Sequence, residues 1–159
     1  MDIKQLQENY KLEKDDFWEL RKGTWIITHD ACEKIANIEN IIFEPIKIIS
    51  YVPTIISENG EKVRTSKWGR EVFNPAWAGT CQKKSGDVAL TVVGYKAENP
   101  DYKIESTGEA NALNCTNNYY LAMAEKRACD RVILKLINAY EYGIYSDVEA
   151  DDFKKKEKE

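Results

Sequence analysis

The sequence predicts an α+β fold, in which an antiparallel β-meander packs against a long C-terminal helix to form a β-β-β-α core. A short helical N-terminal region precedes this core. Three observations predict this fold. Apolar residues recur at helical spacing between about residues 118 and 140. β-Branched residues dominate residues 42–52 and 88–97, and the Asn59-Gly60 pair between them is a strong hairpin signal.

The long helix has one broad apolar arc, at about 100° per residue. Its members are Leu121, Ala122, Ala128, Cys129, Val132, Ile133 and Leu136. Glu125 falls inside this arc, where a buried carboxylate needs a partner, so a salt bridge is favoured over a metal or catalytic role. Met123 and Leu134 lie opposite the arc and indicate either a subunit contact or packing against the C-terminal aromatic residues.

A basic stripe runs along one edge of the same helix. Arg127, Arg131 and Lys135 are spaced four residues apart, and like charges at that spacing repel by about 0.2–0.5 kcal/mol per pair. The stripe is therefore either a site for an anionic ligand or a solvated helix face. Residues 106–111, with Gly108, are predicted to form a loop that leads into the helix and caps it, and its backbone N–H groups would suit a phosphate.

The elements before the meander are short. Residues 1–13 are predicted to be a flexible N-terminal arm, and residues 15–21 a short helix. Residues 25–27 form an apolar run typical of a strand. Thr28 is a good N-cap residue for a helix that continues to about Asn37.

Within the meander, the Asn-Gly turn predicts a partner strand that starts near Lys62. Residues 83–87 are predicted to be a turn, residues 88–97 the clearest strand, and residues 102–106 a last short strand. The order of elements is therefore a helical region, then a β-meander, then a long helix.

The bulk properties are those of one globular domain. The chain has 159 residues, which we divide into a single domain over residues 14–152 and a disordered charged tail over residues 153–159. No apolar run is long enough to span a membrane and no secretory signal is present, so a cytoplasmic protein is expected.

Composition also excludes several kinds of chemistry. The four cysteines do not form a zinc-binding pattern, and the single histidine, His29, excludes a catalytic system built on several histidines. No glycine-rich phosphate motif occurs, so an ATPase or dinucleotide enzyme is not expected. We therefore predict neither a cofactor nor a metal, and no enzymatic activity.

The net charge is −4, so any nucleic-acid binding must come from local basic groups. Three groups are candidates, with Trp68 available to stack on an unpaired base. They are Arg64, Lys67 and Arg70 around Trp68; Lys83 and Lys84 at the predicted turn; and Arg127, Arg131 and Lys135 on the helix. Packing of the sheet across the helix would bring them to one groove. The alternative for Trp68 is core packing.

Two strand-to-helix features carry a family resemblance. Gly94-Tyr95 lies on the last long strand, and Gly108 precedes residues 122–136, which read Ala-Met-Ala-Glu-Lys-Arg-Ala-Cys-Asp-Arg-Val-Ile-Leu-Lys-Leu. This pattern resembles the β-β-β-α core of the Rad-fifty-two superfamily of single-strand annealing proteins, over about two-thirds of the chain. Residues 25–152 are also similar to small proteins encoded among phage recombination genes.

The resemblance implies a function in DNA recombination and repair. Members of that superfamily assemble into rings or filaments and hold single-stranded DNA in a basic groove between a hairpin and the helix, without ATP. Carried over to this chain, the helix contacts are Lys126, Arg127, Arg131 and Lys135. The hairpin contacts, Arg64, Lys67, Lys83 and Lys84, rest on their position in the meander. The acidic net charge and the residues between Gly69 and Gly79 depart from the superfamily's pattern.

Two other classes of function remain open from the sequence. One is a metal-dependent nuclease that holds Mg²⁺ through oxygen ligands, for which the candidates are Glu105, Glu109, Glu125 and Asp130. The other is a protein-interaction module that inhibits or modulates a host or defence factor through its acidic ends and aromatic patches. A double-stranded RNA binder shares the order of elements but is less favoured, because its typical basic helix start is missing.

Overall fold

The computed structural model describes residues 2–60, 63–65, 71–73 and 81–155, with side chains described outside residues 54–84. These residues form an α+β fold, as predicted. The helices are α1 (Ile3–Tyr10), α2 (His29–Ile38) and α3 (Tyr120–Leu136), with 3-10 turns at Lys14–Asp16, Ala139–Tyr142 and Asp151–Phe153. The strands are β1 (Phe17–Arg21), β2 (Thr24–Ile27), β3 (Ile41–Phe43), β4 (Lys47–Gly60), β5 (Val63–Thr65), β6 (Glu71–Phe73), β7 (Cys81–Lys96), β8 (Ile104–Asn111) and β9 (Ile144–Ser146).

The main sheet is antiparallel and has β7 at its centre. β8 pairs along one side of β7, and β3 and β4 follow each other along the other side. For example, Leu90 on β7 pairs with Ile48 on β4 on one side and with Gly108 on β8 on the other. An antiparallel sheet is therefore followed by a long C-terminal helix, as predicted.

Helix α3 packs on one face of this sheet. On β7 the residues of that face are Val88, Leu90 and Val92, which alternate with half-buried residues as a strand period of two requires. On β8 the corresponding residues are small, so the helix can approach closely. Ala124, Ala128 and Val132 of α3 lie four residues apart and join the same core cluster.

A second core lies on the other side of α3. There α1, α2 and a small sheet of β1, β2 and β9 pack around Leu134 and Ile133, and Leu134 is fully buried. Helix α3 is therefore covered on two sides. Of the two alternatives for Met123 and Leu134, the structure shows packing within the chain. Leu134 belongs to the core cluster that Tyr140 also joins, and Met123 packs against the sheet-side cluster.

The N-terminal expectations differ from the structure in two places. The predicted flexible arm contains α1, which is anchored because Leu6 and Tyr10 are buried in the second core. The predicted helix over residues 15–21 is instead a 3-10 turn followed by β1, which pairs with β2 because tertiary pairing overrides a weak local preference. The strand over residues 25–27 and the Thr28 N-cap are confirmed, since the Thr28 hydroxyl accepts from Ala31 N.

The hairpin expectation is wrong in its pairing. β4 continues to Gly60 and pairs with β7, whereas β5 pairs with β6, so the Asn-Gly pair does not close a hairpin between β4 and β5. The predicted turn over residues 83–87 lies within β7. Beyond Val52 and Asp87, β4 and β7 continue past the last row that includes β8. We call the segment of residues 53–86, whose described ends pair with each other as the last part of β4 and the first part of β7, the distal hairpin.

The predicted loop over residues 106–111 is part of β8, and α3 begins only at Tyr120. Gly108 therefore serves packing and not phosphate binding. A Cβ atom built on Gly108 would lie 2.0 Å from the Ala124 carbonyl oxygen. Glycine is thus needed because the helix backbone lies directly on the strand.

In the part of the chain that the structure describes, no helix is long and apolar enough to cross a membrane. Of the predicted tail, the 3-10 turn extends through Phe153, whose ring lies 5.7 Å from that of Tyr145. Residues 156–159 of the tail lie outside the described residues.

Candidate functional site

The basic stripe on α3 does not form an open anion site. Arg127 is only 2% exposed. Its guanidinium donates to the carbonyl oxygens of Val148 (2.6 Å), Glu109 (2.9 Å) and Asn114 (2.6 Å), and to Asn114 Oδ1 (3.0 Å). These contacts hold three separate segments together, so Arg127 is a structural residue and its assignment to DNA binding is corrected.

Arg131 and Lys135 are held in the same way, though less deeply. Arg131 donates to the Thr107 carbonyl oxygen (2.7 Å) and lies 3.5 Å from a Glu149 carboxylate oxygen. Lys135 Nζ donates to Ser106 Oγ at 2.8 Å. Arg131 is half-buried and Lys135 is exposed, and each already donates a hydrogen bond to β8. Their assignment to DNA binding stays a prediction.

The arginines explain how one edge of the main sheet is protected. Among the described strands β8 has a neighbour on one side only, so alternate carbonyl groups point away from the sheet. Arg131 and Arg127 donate to two of them, on Thr107 and Glu109. These two carbonyl groups are not available to another strand, which makes edge-to-edge pairing at this part of β8 less favourable.

The other predicted contacts lie elsewhere. Lys126 is exposed on α3. Lys83 and Lys84 lie on β7, opposite Ser57 and Ile56, and Arg64 lies on β5. Lys67 and Trp68 lie outside the described residues. Convergence of the hairpin set and the helix set on one groove therefore stays a prediction.

The distal hairpin differs from the rest of the chain in charge. Residues 53–86 contain six Lys and Arg residues against three Glu residues, a net charge of +3. Since the whole chain carries −4, the remaining residues carry −7. The same segment contains Trp68, Phe73 and Trp77. Basic and aromatic residues are thus concentrated in one stretch of the sequence.

A groove of about 650 Å³ lies between α2 and α3. Its apolar lining includes Ala36 on α2, Ile41 and Phe43 on β3, and Ala122 and Ile133 on α3. Its polar residues are His29, Glu33, Asn37, Glu125 and Lys126, with Cys129 beside them. We call this cavity the α2–α3 groove.

Carboxylates dominate the field in the α2–α3 groove. The pKa of Cys129 is raised to about 12, first by burial and then by the negative charges of Glu125, Asp130 and Glu33. Glu125 is exposed, which corrects the expectation that it is buried in the apolar arc. The arc packs around Ala124 and Ala128, so its centre lies to one side of Glu125.

A buried polar network connects α2, α3 and β9 at one end of this groove. His29 Nδ1 lies 2.7 Å from Asp130 Oδ1, and the Ser146 hydroxyl donates to the other Asp130 oxygen. His29 Nε2 lies 3.1 Å from Glu33, and the His29 backbone N–H donates to Asp147 at 3.0 Å. Asp130 is fully buried, so these partners offset the cost of its burial.

This network makes stability depend on pH. The hydrogen bond to Asp130 raises the pKa of His29 above its usual 6.5, although burial and Lys126 act in the other direction. The pKa values of Asp130 and Asp147 are also raised, mainly by burial. All three groups bind protons more tightly in the folded state, so the stability they contribute is lost as the pH rises.

We therefore predict that the free energy of unfolding falls as the pH rises from about 6.5 through the higher folded pKa of His29. His29→Gln keeps a polar side chain beside Asp130 and should flatten this slope. Because the chain has one histidine, urea unfolding at several pH values and the single imidazole NMR titration report on the same group. An imidazole midpoint at or below 6.5 would contradict the prediction.

The nuclease candidates do not come together. Asp130 faces His29 and Ser146, Glu105 and Glu109 are exposed on β8, and Glu125 is exposed on α3. Within the described residues no group of three His, Cys, Asp or Glu side chains is placed to hold a metal ion. The α2–α3 groove was not predicted, because its lining comes from three elements that are distant in sequence.

The chain was compared with family models, with curated proteins and with solved structures, and no match was found in any of the three.

Proposed function

We propose that this protein binds single-stranded DNA through its distal hairpin and promotes annealing of complementary strands without ATP. The observation that carries the proposal is the separation of charge: a net charge of +3 on residues 53–86 and −7 on the rest of the chain. Basic residues neutralise phosphates, and aromatic residues stack on unpaired bases. The β-β-β-α resemblance supports the same function.

The residues proposed to contact DNA are those of the hairpin set. They are Arg64, Lys67, Trp68, Lys83 and Lys84. Arg127 and Arg131 act indirectly, because they bind the edge of β8 and thereby hold the sheet from which the hairpin projects. The negative body favours strands that lie along the hairpin and away from the domain, which leaves their bases accessible to a complementary strand.

We predict that Lys83→Gln combined with Lys84→Gln weakens binding to a labelled single-stranded oligonucleotide by about tenfold at low salt. Each lost phosphate contact should also reduce the slope of log affinity against log salt by about 0.7. Fluorescence anisotropy over a salt titration measures both quantities, and a strand-annealing assay without ATP tests the activity.

Lys4→Gln combined with Lys14→Gln is the matched control, because both lysines are exposed and lie outside the distal hairpin. The control should leave affinity and salt slope nearly unchanged. Equal losses of affinity in the two double variants would mean that binding does not depend on the hairpin lysines in particular. If the unmodified protein does not bind at low salt, the proposed function is wrong.

A further inference from the structure

The α2–α3 groove runs along two helices. Its lining takes residues spaced three or four apart on α2, within residues 29–37, and on α3, within residues 122–133, so each helix contributes one face. At about 1.5 Å per residue these faces are about 12 Å and about 17 Å long. Strand β3 adds Ile41 and Phe43. The groove is therefore a trough that extends over about two to three helical turns.

The apolar part of the groove is only partly covered by the protein itself. Ile41 and Phe43 are large but only half-buried, and Ala122 is exposed on α3. Each helix also contributes an alanine to the lining, Ala36 and Ala122, whose short side chains leave room for an entering group. Removal of apolar surface from water is favourable, so a second molecule that covers this trough gains binding energy from it.

Carboxylates stand on both helical walls. Glu33 on α2 and Glu125 on α3 line the groove, and both are exposed. After burial, the negative charges of these two glutamates help to raise the pKa of Cys129 to about 12. Lys126 is the only lysine or arginine among the described residues of the lining, and its charge acts on His29. The groove is therefore suited to a cationic group.

A helix suits this trough better than an extended chain or a small molecule. The walls are helices whose backbone groups are bonded within each helix, so an extended chain would find few partners for its own backbone. A small molecule would stay hydrated along the open side of the trough, whereas ligand pockets usually bury about 70% or more of a ligand. An α-helix satisfies its own backbone and inserts side chains from one face.

We propose that the α2–α3 groove binds a short basic amphipathic helix of a partner protein. Apolar side chains of that helix contact Ile41 and Phe43, and its Lys or Arg side chains pair with Glu33 on one wall and Glu125 on the other. The groove selects a segment that is both apolar and basic, because an acidic helix would meet like charges on both walls.

The test is titration of defined peptides into the full chain at low salt. The first peptide has about three helical turns, with leucine at i, i+3, i+4 and i+7 and lysine beside them, and the second has glutamate in place of lysine. Fluorescence anisotropy should show that the lysine peptide binds roughly tenfold more tightly or better. His29 lines the groove and is the single histidine, so its imidazole NMR signals should shift as the lysine peptide binds.

Three variants locate the peptide on the protein. Glu125→Lys reverses one wall charge at an exposed position and should raise the dissociation constant of the lysine peptide by roughly tenfold. The matched control is Glu8→Lys, which reverses an exposed glutamate on α1 and should leave this constant unchanged. Ala122→Gln puts a longer uncharged side chain into the trough and should weaken binding without changing its salt dependence. Thermal unfolding checks that all three variants remain folded.

Several outcomes would overturn the proposal. They are absence of binding at low salt, equal binding of the two peptides, an unchanged His29 signal, or equal effects of Glu125→Lys and Glu8→Lys. Self-association that Glu125→Lys abolishes, measured by sedimentation velocity, would instead assign the groove to a second copy of the chain and would overturn it as well.

The outcome is separate from that of the proposed function. Ala122→Gln changes none of the residues proposed to contact DNA, so this variant should keep its affinity for single-stranded DNA while it loses affinity for the lysine peptide. Peptide binding that depends on Glu125 and Ala122 would support the docking site even if the protein did not bind DNA.

Discussion

Arg127→Ala is expected to lower the free energy of unfolding by about 3 kcal/mol or more. The substitution removes the donor for carbonyl oxygens on Glu109, Asn114 and Val148. The Arg127 side chain is 2% exposed, so its removal leaves a cavity and takes away four hydrogen bonds at once. Urea unfolding followed by circular dichroism measures the loss.

Arg131→Ala provides the comparison on the same helix face. Arg131 is more exposed and donates to a single carbonyl oxygen, on Thr107, so its removal should cost less than about 1.5 kcal/mol. Arg127→Lys should not restore the loss, because an ammonium group lacks the planar fork that reaches three segments. Equal stability of the two alanine variants would contradict the structural role of Arg127.

The same pair of variants separates two interpretations of the basic stripe. If the stripe bound DNA, both substitutions would reduce the salt slope of binding while the protein stayed folded. In the structure Arg127 is enclosed by Glu109, Asn114 and Val148, so any loss of binding should follow the unfolded fraction. Measuring affinity at a temperature where both variants are folded distinguishes these outcomes.

The parts of the fold that follow from local patterns were predictable from the sequence. The strand over residues 88–97 has an alternating apolar pattern, and β7 includes nearly all of it. Helix α3 follows from apolar spacing, and α2 begins where Thr28 supplies a side-chain cap. In each case the signal lies within the element itself, so no knowledge of its neighbours is needed.

The errors arise where a distant segment decides the structure. β1 forms a strand because β2 lies beside it, and β9 pairs in parallel with β2 although more than a hundred residues separate them. The spacing of Arg127 and Arg131 is the same for a ligand site and for a row of groups that cap a strand. The position of β8 beside α3 distinguishes the ligand site from the strand-capping row, and this position cannot be predicted from the spacing of residues in the sequence.

Glycine at position 108 illustrates how one such contact controls the whole core. We predict that Gly108→Ala lowers the free energy of unfolding by about 3 kcal/mol. The new methyl group would lie 2.0 Å from the Ala124 carbonyl oxygen and 2.8 Å from Ala128 N. Both atoms belong to the helix backbone, so α3 must move away from β8 as a unit.

Gly94→Ala is the matched control, because it adds the same atom to the neighbouring strand under the same helix. Its methyl group would meet Val132 Cγ1 at 2.7 Å and the Phe43 ring at 3.0 Å. These are side-chain atoms that can shift, so the loss should be nearer 1 kcal/mol. Chemical denaturation of both variants gives the order, and a larger loss for Gly94→Ala would show that α3 does not rest on β8 through Gly108.

Because Arg127 donates to Glu109, beside Gly108, a helix displaced by the methyl group of Gly108→Ala also pulls Arg127 from that carbonyl. The losses in unfolding free energy from Gly108→Ala and Arg127→Ala should therefore be less than additive when the two are combined, since each disrupts the same contact between α3 and β8.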